Sequence, residues 1–204
     1  MREADAHPDM DAVVRAMCEG DGEAFRTVYR STQPTLVRYL EILVGPMEAE
    51  DVASETWAQA CRDLHRFSGD ADGFRGWVTT IGRHRALDHL RRRSRRPQVD
   101  RDLTGLEPAA ADDVVESVAE SLSTSEAMRQ IRKLPKAQAE AVMLRAVMGL
   151  DARTAGQILG RRPGAVRTAT QRGLAALGVL LEAEAPFHHR PCDVLPVPSA
   201  EEVR

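Results

Sequence analysis

Aromatic side chains are scarce in this 204-residue chain, which has four Phe, two Tyr and two Trp. A core must therefore be built mainly from Leu, Val, Ala, Ile and Met, as helical bundles build theirs. Short apolar–polar alternation of the strand type is nearly absent as well. Cysteine is limited to Cys18, Cys61 and Cys192, far apart and with no CxxC spacing, so neither a disulfide framework nor a zinc module is indicated. No apolar run approaches a membrane span, and the opening MREADAHPDMD lacks the basic and apolar regions of a signal peptide. A soluble, cytoplasmic protein with no membrane contact of its own is expected. Also missing are a Gly-rich phosphate loop, an HExxH helix and a serine nucleophile elbow, so neither an enzyme nor a cofactor is expected.

Lysine is nearly absent too: 26 of the 28 cations are arginines, which suit bidentate contacts to phosphate and guanine. The net charge of −3 would argue against nucleic acid if charge were evenly spread, but it is segregated. Residues 1–56 hold 12 acidic and 5 basic side chains, and residues 62–96 hold 4 and 10. Residues 98–126 hold 8 and 1, and residues 129–177 hold 2 and 10. The length allows two small domains, each with a modest core.

Read in order, an apolar series from Asp11 is followed by a helix capped at Asp21, and Pro34 is expected to open a further helix whose stripe is Leu36, Val37, Leu40, Leu43 and Val44. The next helix, about 49–66, carries Val52, Ala53, Trp57, Ala60, Cys61 and Leu64 on one face. Its acidic start at Glu48, Glu50, Asp51 and Glu55 complements the helix dipole, while Asp51 and Glu55, one turn apart, equally suit a compact patch for a basic partner, and the residues alone leave both accounts open. Phe67–Gly73 reads as a loop, and its Asp70-x-Asp72-Gly73 lacks the further ligands of a calcium site. A long helix follows from Phe74 to about Arg95. It ends in five arginines within six residues, whose mutual repulsion a polyanion would relieve. His84, Asp88 and His89 lie a turn apart there, but the surrounding arginines oppose a divalent cation. Residues 98–124 are acidic, small and poorly periodic, as in a flexible linker, and 27 residues can reach roughly 90 Å. A second domain starts near the capping box Ser123-x-x-Glu126. Residues 185–204, with four prolines, read as a flexible tail, and His188, His189 and Cys192 there lack a fourth metal ligand.

Within Leu150–Leu177, Ala152, Ala155, Ile158 and Leu159 make one stripe, Gly160 breaks the chain and Pro163 restarts it. This is a helix–turn–helix pattern. In its second helix Val166, Thr170, Leu174, Leu177 and Leu181 are expected to face inward, leaving Arg167, Thr168, Gln171 and Arg172 free to reach base edges or phosphates in a major groove.

Several of these segments, in this order, resemble the extracytoplasmic-function (ECF) group of bacterial RNA polymerase sigma factors, the compact kind with only the second and fourth sigma domains. GDGEAFRTVYRSTQPTLVRYL resembles the opening of the second domain, and EAEDVASETWAQA resembles the helix that docks on the polymerase clamp. RFSGDADGFRGWVTTIGRHRALDHLRRRSRR is similar to the stretch that captures unpaired bases of the −10 element, and LPKAQAEAVMLRAVMGL with the helix–turn–helix is similar to the −35-reading fourth domain. The resemblance implies an all-α protein of two small helical domains joined by a flexible acidic linker: residues 11–97, linker 98–124, residues 125–184 and tail 185–204. It implies core polymerase, promoter DNA and an anti-sigma factor as partners, and no metal or other cofactor. Asp51, Glu55, Thr56 and Gln59 are implied to touch polymerase. Phe67, Ser68, Asp70, Trp77, Arg83, His84, Arg85, Arg91 and Arg92 are implied to engage and melt the −10 element. Arg153, Arg161, Arg162, Ala165, Arg167, Thr168, Gln171 and Arg172 are implied to bind the −35 element. Ala165 stands where the family usually has Thr, Gly156 where Ala is common, and His84 where Asn is frequent. Two rival readings are a self-sufficient dimeric helix–turn–helix regulator and a helical metalloenzyme using the histidines.

Overall fold

The computed structural model describes residues 9–95 and 125–184, all helices and short turns with no strand among them. The expected linker and tail, Ser123 of the capping box, and the His188, His189 and Cys192 group lie outside the described residues. Helix α1 is Met10–Cys18, α2 is Gly22–Val44, α3 is Pro46–Asp63 with a 3-10 turn Leu64–Arg66, and α4 is Ala71–Arg95. A second group begins with α5, residues 125–133, then α6 (Lys136–Val142) running into a π-helical turn Met143–Val147, α7 (Ala152–Leu159) and α8 (Pro163–Glu184). No helix among the described residues is long and apolar enough to cross a membrane.

The ends of these helices follow local chemistry. Asp9 and Asp21 cap α1 and α2 with their carboxylates, and Gly45 at φ 91° lets the chain turn from α2 into α3. The expected restart at Pro34 does not occur, because α2 runs straight through it. Proline costs a helix interior about 3 kcal/mol and removes one backbone donor. Val28, Leu36, Tyr39, Leu40 and Leu43 form one buried stripe across that point, and the burial outweighs the loss. The loop before α4 is also shorter than expected. Asp70 caps the helix by accepting from the Gly73 N–H at 2.7 Å, so 71–73 are already helical.

Helices α1–α4 pack around Met17, Val28, Leu36, Leu40, Val52, Trp57, Phe74 and Val78. A Cβ on Gly82 would lie 3.1 Å from Leu36 Cδ1, so the missing side chain lets α4 settle closely over α2. In the second group α8 lies along α6, and the π-helical turn at Met143–Val147, which no sequence periodicity marked, leads into Gly149 at φ 70°. The two groups touch: α6 and the π turn rest on α2, and α7 rests on α4.

Candidate nucleic-acid interface

In the helix–turn–helix, Asp151 caps α7 by accepting from the Thr154 N–H at 2.6 Å. Hydrogen bonds from Thr154 hold this exposed carboxyl below its ordinary range, and Arg153 and Arg145 add to the effect. Gly160 ends α7 in the left-handed region at φ 63°, and the Arg161 N–H returns to the Gly156 carbonyl at 2.8 Å. A Cβ on Gly156 would sit 2.7 Å from the Arg161 carbonyl oxygen, so the turn closes more tightly here than an alanine would permit.

Helix α8 packs through Val166, Gly173, Leu177 and Leu180. Two residues expected to face inward do not: Leu174 is 47% exposed and Leu181 50%. Gly173 is the cause. A Cβ there would meet Val142 Cγ2 at 2.6 Å, so α6 and α8 approach backbone-close along the 166–173–180 line and rotate Leu174 outward. A hydropathy pattern scores glycine as neutral and cannot register such an approach. Arg153, Arg161, Arg162, Ala165, Arg167, Thr168, Gln171 and Arg172 are all exposed, gathered on the turn and the outward side of α8. The arrangement offers a cluster of guanidiniums to an anionic duplex.

The second candidate surface lies at the start of α4. Six of the eight aromatics form a ladder from Tyr29 and Phe25 through Trp57 and Phe74 to Phe67 and Trp77, the last two rings 5.3 Å apart. Phe67 and Trp77 are half-buried while Ser68 and Asp70 are exposed, so the ladder ends at an open loop. Gly69, at φ 155°, passes close over the Phe67 ring, which lies 3.2 Å from where its Cβ would be. Partly exposed aromatic faces beside arginines are the composition on which unpaired bases stack.

Farther along α4, Arg85, Asp88, Arg91, Arg92 and Arg95 line a shallow groove, and His84 is exposed nearby. These cations also reach α3: Arg85 donates to Gln59 Oε1 at 2.8 Å, and Arg92 lies 3.7 Å from Glu55. Glu48, expected only to complement the helix dipole, faces His89 at 3.3 Å and Arg93 at 3.9 Å. Asp51 and Glu55 are exposed and Gln59 is half-buried. Thr56 stands apart from them. It is fully buried, bonds the Val52 carbonyl at 2.7 Å and packs beside Gly82, so its side chain does not reach the α3 surface.

Arg83 is held away from its neighbours. Its Nε donates to Glu140 Oε2 of α6 at 3.1 Å, and the Tyr39 hydroxyl lies 3.5 Å from the same oxygen. Burial, and then the Glu140 charge, push the Tyr39 phenol well above its ordinary range, against the opposing effect of Arg83. Neither Tyr39 nor Glu140 was singled out by sequence. The available signal was that Glu140 is one of only two carboxylates in residues 129–177 and stands in an apolar run. Among the described residues no three His, Cys, Asp or Glu side chains gather as metal ligands.

Comparison with known proteins agrees with this architecture. The family model for Sigma-70 region 2 matches residues 28–96, and that for Sigma-70, region 4 matches residues 124–177. The ECF RNA polymerase sigma factor BldN of Streptomyces coelicolor is 31% identical over 188 residues, covering 90% of this chain and 69% of the relative. ShbA of Streptomyces griseus, also an ECF RNA polymerase sigma factor, is 31% identical over 180 residues, 84% of this chain and 94% of its own. SigD of Mycobacterium tuberculosis is 32% identical over 174 residues, 82% of each chain. Among solved structures, the sigma factor RpoE of Bartonella quintana, in complex with the anti-sigma factor NepR, has TM-score 0.59 at 20% identity, covering 78% of this chain and 98% of its own. CnrH, in complex with the cytosolic domain of CnrY, has TM-score 0.57 at 23% identity, covering 87% and 100%. The order of the two matched regions, the helical fold and these relatives together place the chain among the ECF RNA polymerase sigma factors, transcription initiation factors and not catalysts.

Proposed function

We propose that this chain binds core RNA polymerase in the cytoplasm and directs it to promoters with two separated elements. Residues 11–97 serve as the domain that holds polymerase and opens the −10 element, and residues 125–184 as the domain that reads the −35 element. One observation carries the proposal: a single chain presents two different DNA-suited surfaces, the exposed cations of α8, and on α4 the aromatic loop at its start with the arginine-lined groove farther along. Arg167, Thr168, Gln171 and Arg172 suit duplex edges, with Arg153, Arg161 and Arg162 on phosphates. Phe67 and Trp77 suit an unstacked base with Ser68 and Asp70 at the loop rim, while Arg85, Arg91 and Arg92 neutralise the separated strands. Opening then draws on binding energy alone and needs no covalent step. Asp51 and Glu55 supply an exposed acidic face for polymerase. Two proteins of this fold occur bound to protein partners, one of them named an anti-sigma factor, which supports control of this chain by such a factor.

The test is reconstituted transcription with core polymerase. The intact chain should confer promoter-dependent initiation, Asp51→Arg/Glu55→Arg should lose polymerase binding, and Arg167→Ala/Arg172→Ala should lose −35 discrimination while polymerase binding persists. Tight binding to a palindromic duplex without polymerase, and no initiation with it, would instead identify a self-sufficient dimeric regulator.

A further inference from the structure

The Phe67–Asp70 loop is held at both ends by hydrogen bonds that leave Ser68 and Gly69 between them. At its start the Phe67 N–H donates to the Leu64 carbonyl at 2.9 Å. At its exit the chain enters α4, whose first backbone donors have no acceptor within the helix. Asp70 satisfies one of them, accepting from the Gly73 N–H at 2.7 Å. The Ala71 N–H is satisfied from elsewhere in the chain. Asp11 Oδ1, 60 residues earlier in sequence, accepts it at 2.9 Å. Ala71 is buried, and a buried backbone donor needs a partner. Asp11 is itself well anchored: its own N–H donates to Asp9 Oδ1 at 3.1 Å, and Val14 and Met17 of the same helix are each 1% exposed in the core. One carboxylate therefore ties the seated helix α1 to the exit of the loop.

We propose that Asp11 is a positioning residue for −10 recognition: its bond to the Ala71 N–H fixes where α4 begins, and with it the loop that receives the unpaired base. The inference rests on the reading of Phe67–Asp70 as that loop. Asp11 touches no base in this role. It sets the place of the Asp70 carboxylate and of the paired Phe67 and Trp77 rings, 5.3 Å apart, on which a base stacks. A loop ordered before the strand arrives binds it more tightly, because no ordering remains to be done on binding. The sign of the effect separates position from charge. DNA is anionic, so removing a carboxylate beside the loop would by charge alone tighten binding, whereas losing the anchor weakens it.

The test uses the full chain, free and assembled with core polymerase. In the free chain Asp11→Ala should speed amide hydrogen exchange across residues 67–74 and leave α7 unchanged, and Asp11→Asn, which keeps an acceptor oxygen without the charge, should retain the protection. With polymerase, the probe is a fluorescent DNA single strand that the wild-type complex enriches from a randomised pool, compared with a shuffled strand of the same composition. Asp11→Ala should lower affinity for the enriched strand by a factor of about two to ten, the equivalent of one net hydrogen bond, and lower its preference over the shuffled strand by a similar factor. Asp11→Asn should keep both. A general loss of stability would reduce binding of the two strands equally and leave the preference intact, which would refute positioning. If the wild-type complex enriches no strand, the proposed function fails, while the exchange measurement still decides whether Asp11 holds the loop. Unchanged exchange in Asp11→Ala, an affinity that rises in both variants, or an Asn variant that behaves as the Ala one does overturns the inference.

Discussion

Replacing Gly173 with alanine should destabilise the helix–turn–helix, although the same exchange normally strengthens a helix. In a helix interior Gly→Ala is worth about 1 kcal/mol in favour of alanine. Here the new Cβ would lie 2.6 Å from Val142 Cγ2 and 3.4 Å from both Cβ and the carbonyl oxygen of Gln138. Carbon atoms rest at about 3.5–4.0 Å, so α6 and α8 must part by close to an ångström or Val142 must turn. Val142 is 1% exposed and β-branched, and its rotamer is fixed by its own helix. Overpacking of this kind costs about 1–3 kcal/mol, which exceeds the propensity gain and leaves a net loss of about 1 kcal/mol. Urea denaturation of the full chain followed by far-ultraviolet dichroism measures it. Val142→Ala alone forfeits about 1.6 kcal/mol of burial, but it also removes the clashing methyl, so the double variant should be about 2 kcal/mol more stable than the sum of the singles predicts. If Gly173→Ala stabilises the protein, or the cycle is additive, the close α6–α8 approach is wrong, and with it the explanation of why Leu174 faces outward.

Gly156→Ala should also destabilise, by about 1–3 kcal/mol in the same denaturation assay, because the obstacle is the Arg161 backbone carbonyl at 2.7 Å and no rotamer change relieves it. The Asp151 carboxyl titrates lower in the folded chain than its ordinary value of 3.8, so its contribution is present above that value and disappears as pH falls through the lower, folded one. Wild-type protein should therefore melt above Asp151→Ala at neutral pH, and the two melting curves should converge in strong acid. Phe67→Ala should weaken binding of an unpaired −10 strand by about 1–3 kcal/mol in a fluorescence titration while leaving duplex −35 binding unchanged, since the ring ends the aromatic ladder and lies in the other helical group.

How much of this was legible beforehand depended on whether a feature is local. The break at Gly160 and the restart at Pro163 follow from short-range chemistry, and the helix–turn–helix lies where that chemistry put it. The segregation of charge likewise marked the arginine-rich end of α4, which opens as a groove lined by Arg85, Arg91, Arg92 and Arg95. Long-range contacts were hidden. Pro34 reads as a helix start until the buried stripe across it is known, and Gly173 and Gly76 read as blanks although each marks a place where two helices nearly touch. Thr56 illustrates the same limit. It sits between exposed Glu55 and buried Trp57, and only the position of α4 decides that it points inward. Glu140 carries a charge that pattern reading assigns to the surface, and its partners lie 57 and 101 residues away in sequence.

The α3–α4 seam has a consequence for separating polymerase binding from DNA binding by mutation. Glu55 lies 3.7 Å from Arg92, and Gln59 accepts from Arg85 at 2.8 Å, so two of the expected polymerase contacts are tied to proposed DNA contacts. The Glu55–Arg92 pair is half-exposed and contributes little to stability, but it fixes where the Arg92 guanidinium spends its time. Glu55→Arg would therefore repel Arg92 as well as polymerase, and a loss of initiation would have two causes. Asp51 is exposed one turn earlier and forms no ion pair among the described residues. Asp51→Arg should lower polymerase affinity and leave single-strand DNA binding by the free chain unchanged, apart from the weak, salt-sensitive gain that any added surface cation gives. Glu55→Arg should change both. If the two reversals behave alike in DNA binding, the seam does not couple the surfaces, and α3 and α4 act as independent faces of one scaffold.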